Sequence, residues 1–264
     1  QGLEGKYTQI LRDGLPLYEG YSGGFGLMSI PPLDLKQVEL VKGSASTLYG
    51  GGAIGGLVNL ISRKPDTSFT GVVTLNQTTL KETDINSFFS RKYKKIGYTL
   101  YAGATRQSAV DVDGDGFSDV SSDKSYIVHP RLFFYPDERT TIITGYTGMI
   151  DNRSGGDIMV LSGKTDSLHQ FYEKNKILRN SGELLAERKL NGNDKWVLKG
   201  CVSHFKRDIL SSEYNFSGGQ YDYFSEISLL INRKKHNWVT GVNFSGNRFD
   251  KLGGDSSFIT KVRN

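Results

Sequence analysis

The sequence predicts a mainly β protein: a small α+β unit over residues 1–65, then antiparallel strands of a transmembrane β-barrel over 66–264. The strands number about nine, so the barrel is incomplete. The chain changes near Pro65 from Gly- and Pro-punctuated loops to long stretches of period-2 alternation, as for a sheet with one apolar face. These stretches run near ~10 residues, which suits a tilted bilayer crossing better than a soluble strand. Short and long connections alternate between them, as in barrels with tight turns on one side of the membrane and long loops on the other.

Composition agrees. Gly (32), Tyr (14) and Phe (14) are plentiful and Pro (6) is scarce, a balance for strands and tight turns. Hydrophobic residues make up 37 %, too few for a conventional thick core. The longest apolar runs, such as residues 56–61 and 227–231, fall far short of the ~18 residues of a spanning helix. A barrel needs only alternate residues apolar, so the bilayer stays open to it. The single cysteine, Cys201, provides no internal disulfide. The net charge of +5 is dispersed, with small clusters at 91–95 and 233–236 that lack the interleaved aromatics of a nucleic-acid face. The chain opens at Gln1 with no initiator methionine or apolar signal segment, and it reads as a processed or truncated piece.

In the first unit, short strands are expected at Gln37 to Val41 and Leu57 to Ile61, flanking one helical turn at Ser44 to Tyr49 and a glycine run at 50–56. Those glycines let the chain turn and backbones approach without Cβ clashes. No Lys-Ser/Thr follows Gly56, so this is not a nucleotide phosphate loop. Arg63 to Asp66 is a linker, with Pro65 ending regular structure.

The nine strands are expected at 69–80, 84–91, 96–108, 124–135, 140–150, 179–190, 195–208, 220–232 and 237–249. Short turns at 91–95, 136–139, 191–194 and 233–236 alternate with loops at 109–123, 151–178 and 209–219, and only the first outer connection, at 81–83, is short. Tyr98, Tyr135, Trp196, Tyr221 and Trp238 fall near strand ends, where an interfacial girdle places aromatics. Pro130 removes a ladder donor inside the fourth of these strands, where a bulge is expected.

The run Val38-Glu39-Leu40-Val41-Lys42-Gly43, then Ser44 to Tyr49, then Gly50-Gly51-Gly52-Ala53-Ile54-Gly55-Gly56-Leu57-Val58-Asn59-Leu60-Ile61, resembles the plug signature of TonB-dependent outer-membrane receptors. Asp13-Gly14-Leu15-Pro16 is similar to the family's upstream Asp-Gly-x-Pro strand. The likeness covers the plug part closely and the rest only as barrel-like periodicity. It implies a monomeric active importer in the outer membrane of a Gram-negative bacterium, with a plug inside a barrel of about 22 strands. A scarce nutrient complex (ferric siderophore, haem, cobalamin or similar) would bind the outer loops and plug apex, and TonB would deliver energy through an N-terminal box absent from this sequence. By the same resemblance Tyr18, Glu19, Tyr21, Phe25 and Tyr49 are candidate ligand contacts on apical plug loops. The expected partners are TonB, a small nutrient ligand and outer-membrane lipid, with no nucleic acid. The alternatives are a passive outer-membrane receptor or adhesin, and a soluble β-rich calcium module.

Asp111, Asp113, Asp115 and Asp119 stand at alternate positions around Gly114 and Gly116, like the front of a calcium loop. The bidentate Glu of such loops is replaced by Ser122, and no flanking helices are expected, so Ca2+ competes here with a solvated acidic loop. No cofactor is required and no catalytic constellation is present: His129, His169, His204 and His236 lack motif partners. His169, beside Phe171 and Tyr172, reads as an ordinary loop residue with a lesser claim as a ligand contact.

Overall fold

The structure is a computed structural model that describes residues 8–17, 30–42, 55–233 and 235–254. Two sheets account for it. The small one contains β1 (Thr8–Arg12), β2 (Leu15–Pro16), β3 (Leu35–Lys42) and β4 (Gly56–Ser62) in the order β2-β1-β4-β3. β1 and β4 are parallel, and the other two pairings are antiparallel. A 3-10 turn, Pro32–Asp34, leads into β3.

The large sheet runs in strict chain order: β5 (Thr70–Gln77), β6 (Glu82–Lys92), β7 (Ile96–Gln107), β8 (Ser122–Phe134), β9 (Thr140–Gly156), β10 (Tyr172–Lys189), β11 (Lys195–Ser211), β12 (Asn215–Asn232) and β13 (Asn237–Gly254). Every neighbouring pair is antiparallel. A four-residue helix, α1 (Ile158–Leu161), sits in the loop after β9. No described helix is long and apolar enough to cross a membrane.

All nine predicted strands are present, but the expected ends differ. β9 reaches Gly156, β10 begins at Tyr172 and β12 at Asn215, so the loop expected at 209–219 shrinks to Ser212–Tyr214. At these upper ends the outward face turns polar, which erases the apolar period-2 signal although the ladder continues. Pro130 does not create a bulge: β8 and β9 keep one register from Val128↔Gly148 to Arg131↔Gly145. The register shift in this sheet instead lies at Ser217/Gly218, between β12 and β13.

The outward face is apolar over the middle of the strands. Tyr126, Ile150, Leu198, Ile227, Val242 and Phe244 are all exposed on it, the pattern of a surface built for lipid. Trp196 and Trp238 stand exposed beside the short turns; Tyr221, expected near a strand end, lies well inside β12. The inward face buries Phe88, Tyr101, Phe133, Met149, Ile177 and Phe205, and against it sits the small sheet. Gly97 leaves room for the linker, since a Cβ there would stand 2.7 Å from Pro65 Cγ.

Candidate functional site

The small sheet meets the wall of the large one through charge. Asp13 and Gly14 form the turn between β1 and β2, both at positive φ (52° and 76°), as a two-residue hairpin requires. Asp13 Oδ1 accepts from Ser62 N at 2.9 Å, and Gly14 N donates to Asn59 Oδ1 at 3.1 Å, tying the turn to β4. This leaves Asp13 Oδ2 facing the wall, 2.9 Å from Arg131 Nη2. Arg131 in turn places Nε 2.7 Å from Glu183 Oε1. Arg131 on β8 and Glu183 on β10 are separated by β9, where Gly145 pairs with both. A Cβ at Gly145 would stand 2.6 Å from Glu183 Oε1 and 3.0 Å from Arg131 Cγ, so the ion pair occupies the space a side chain would need.

A second cluster lies beside the first. Arg12, at the end of β1, donates from Nε to Ser62 Oγ at 3.1 Å and from Nη2 to Asp34 Oδ2. His129 Nδ1, on the wall, is 2.7 Å from the same Asp34 oxygen and 2.8 Å from Arg12 Nη2. Nδ1 cannot donate and accept at once; with a carboxylate and a guanidinium as rivals, the proton belongs on Nδ1, donated to Asp34. His129 Nε2 then faces Glu183 Oε1 at 3.9 Å, joining the two clusters. Arg12, Asp34, His129 and Arg131 are all buried. Burial opposes the charge of Asp34, but the His129 hydrogen bond and the Arg12 charge outweigh it and hold its carboxyl below the usual range. An open cavity of about 690 Å³ borders Asp13 and Arg131 on the short-turn side, lined also by Lys64, Lys195, Lys199 and Glu226.

Sequence reasoning missed this assembly because its members lie far apart in the chain and match no motif. One signal was available: His129 and Arg131 flank Pro130 and share a face, and polar residues at i and i+2 inside a barrel strand point to its interior.

Of the residues singled out from sequence, Tyr18, Glu19, Tyr21, Phe25 and Tyr49 lie outside the described residues, as do Ser44 to Tyr49 and most of the glycine run. Asp111, Asp113 and Asp115 do converge, each offering an oxygen within 4.8 Å of the others. Asp111 accepts from Gly114 N (2.7 Å) and Gly116 N (2.9 Å), which lowers its pKa, and Asp115 accepts from Phe117 N (2.8 Å). Asp119 is engaged separately, accepting from Val112 N at 2.8 Å. The loop closes on itself through the bridge Val110↔Val120. It also meets the next loop, with Phe117 bridging Asp157 and Ile158 N donating to Gly116 O at 3.0 Å. His169 pins that second loop: Nδ1 is 2.6 Å from Asp157 Oδ2, and this bond raises the His169 pKa.

The family model TonB-dependent Receptor Plug Domain matches residues 1–57. The chain is similar to the ferrioxamine receptor of Yersinia enterocolitica, 25 % identical over 143 residues, covering 53 % of this chain and 19 % of that protein. It is similar to the metal-pseudopaline receptor CntO of Pseudomonas aeruginosa, 28 % identical over 204 residues, covering 72 % of this chain and 27 % of that one. Among solved structures, the pyoverdine outer membrane receptor FpvA of Pseudomonas aeruginosa superposes with a TM-score of 0.72 at 15 % identity, over 91 % of this chain and 39 % of that chain. The chain thus spans about a fifth to a quarter of these curated relatives' length. These relatives are receptors rather than enzymes. With plug sequence at its start, a small sheet seated on the inner face of an antiparallel strand array, and receptors as its relatives, the chain is similar to part of the TonB-dependent receptors of the Gram-negative outer membrane.

Proposed function

We propose that the intact receptor imports a metal–siderophore complex, with energy delivered by TonB used to shift the plug against the barrel wall. One observation carries this reading: the plug sheet is held to the wall by Arg12–Asp34–His129 and Asp13–Arg131–Glu183. A dry apolar seat would resist sliding over its whole area, whereas a buried ion-pair seat gives little net stability over water once both partners are rehydrated. The cavity beside Asp13 and Arg131 gives water a route to those charges. The siderophore class follows from relatives named for ferrioxamine and metal-pseudopaline. Tyr18, Glu19, Tyr21, Phe25 and Tyr49 are the proposed plug contacts to this ligand.

The test is growth of a deletion strain under iron limitation on single siderophores, complemented by the full-length gene with and without its TonB-binding segment. Rescue by one siderophore that requires the segment supports the reading. Rescue without the segment, or binding with no rescue, favours a passive receptor.

A further inference from the structure

Arg179, on the inward face of β10, is a buried cation whose donors lack acceptors. The residue is 4 % exposed, and neither Nε nor Nη2 meets a hydrogen-bond acceptor among the described residues. These two nitrogens form one edge of the guanidinium, so their N–H groups aim at a common point. The row in which Arg179 lies is apolar on both sides. Met149 and then Ile127 precede it, Phe205 follows it, and the guanidinium lies over the Phe205 ring at 4.8 Å.

The nearby carboxylates are engaged. Asp222 is the acid that acts on Arg179, from beyond ion-pair distance, and its Oδ1 accepts from Gln220 Nε2 at 2.6 Å. Asp151, in the next inward row toward the long loops, has both oxygens bonded to Arg153. A guanidinium buried in this way carries a large desolvation penalty that no direct partner offsets.

Arg179 lines a cavity of about 50 Å³ between wall and plug. Ser181 and Ser203 line it from the wall, and Leu17 and Ile30 close it from the plug. The two serine hydroxyls bond to each other at 2.9 Å, which uses one hydroxyl proton and leaves the other free to donate. Arg12 and Glu183, which also line the cavity, are taken up by Asp34 and Arg131 in the seat. The volume is several times the roughly 10–15 Å³ that one water needs.

We propose that this cavity binds one small monovalent anion of halide size, held by Arg179 Nε and Nη2 and by the free hydroxyl of the Ser181–Ser203 pair. Water would satisfy the donors and leave the charge; an anion answers both. Because Leu17 and Ile30 close the cavity, the ion is enclosed only while the plug is seated, and by linkage it stabilises the seated plug. The inference rests on the contact of plug and wall and is independent of which nutrient is carried.

The test uses the intact receptor with bromide as the probe, against gluconate, too bulky for the cavity, at equal ionic strength. Crystals grown in bromide should show an anomalous peak beside Arg179 Nε and Nη2. Hydrogen exchange at the amides of β1 should slow in proportion to one plus the ratio of bromide to its Kd, about tenfold at ten times the Kd. Arg179→Gln should lose both the peak and the bromide effect, and should fold because it removes a buried charge. Ser203→Ala, which retains Arg179, should raise the bromide Kd several-fold and leave exchange in gluconate unchanged. Absence of the peak in the wild type, a bromide effect of equal size in Arg179→Gln, or a peak with no effect on exchange, which marks an adventitious ion only, overturns the proposal.

Discussion

Asp13 at the plug hairpin and Arg131 on the barrel wall stand 2.9 Å apart, and each is held in place by its own sheet. Asp13 is fixed by Ser62 N of the plug, and Arg131 by Glu183 of the wall. The plug is thus seated by side chains that two independently formed sheets present to each other.

Arg131→Gln should loosen the plug and leave the barrel standing. It strands Asp13 and Glu183 near a buried site, a class of change that costs about 3–5 kcal/mol; the low end applies because their side chains keep 15 % and 13 % exposure. In the intact receptor, hydrogen exchange at the amides of β1 and β4 should accelerate while that of β8 to β11 stays slow. Gly145→Ala should act in the same direction, through its clash with Arg131 Cγ and Glu183, by about 1–3 kcal/mol of overpacking. Unchanged exchange in both variants would show that apolar packing, and not this pair, seats the plug.

How much of this was legible in the sequence depends on range. Strands such as β11 and β12 were visible because lipid on one face forces apolar residues to alternate, whereas the Asp13-Gly14 hairpin was not, because the segment resembles one strand ending in Asp-Gly-x-Pro. The upper parts of β9 and β10 were not, since above the bilayer their outward positions, Asn152, Ser154, Lys174 and Lys176, have no reason to be apolar. The seat itself was hidden: His129 and Asp34 are 95 positions apart, on the wall and at the entry to the small sheet, and only the packing of one against the other brings them to 2.7 Å. Glu183 was concealed in the same way, because its partner Arg131 lies across an intervening strand.

The seat should withstand mild acid. Asp34 has a folded pKa depressed below its ordinary value of 3.8, so its contribution is present above 3.8 and is lost as the pH falls from there through the folded value. Exchange protection of β1 should therefore stay level from neutral pH to about 5 and drop only below the ordinary carboxylate range. Asp34→Asn, already loosened at neutral pH, should lack that acid-dependent drop. A loss of protection centred near neutral pH would contradict the assignment of the ionised form to Asp34.

The second outer loop should respond at the opposite end. His169 has its pKa raised above 6.5 by the hydrogen bond to Asp157, so the pin is fully present below 6.5 and is lost as pH rises through the elevated value. Nuclear magnetic resonance of the His169 ring should give a midpoint above 6.5, and Asp157→Asn should return it toward 6.5 while loosening residues 157–171. A His169 midpoint that ignores Asp157→Asn would mean that the two side chains do not meet in solution.

The acidic loop contains its own scaffold, and that makes a prediction separable from metal binding. Asp111 gathers Gly114 N and Gly116 N, both glycines lying at positive φ (80° and 90°) with open space where a Cβ would stand. Asp111→Ala releases two backbone donors to water and should speed exchange at residues 112–117 by about one to two orders of magnitude, for two solvent-exposed hydrogen bonds of ordinary strength. That effect should be present in chelator-treated receptor, because the acceptor is the carboxylate itself. Asp113→Asn retains an oxygen acceptor for Asp115 N, so on the scaffold alone it should matter little. Calcium then distinguishes the two roles of the cluster: protection of this loop that rises with added calcium and collapses in Asp113→Asn assigns Asp111, Asp113 and Asp115 to an ion, because a cation gains more from a charged ligand than the amide donor does. Protection that is the same with calcium and with chelator, and is lost only in Asp111→Ala, assigns them to the turn.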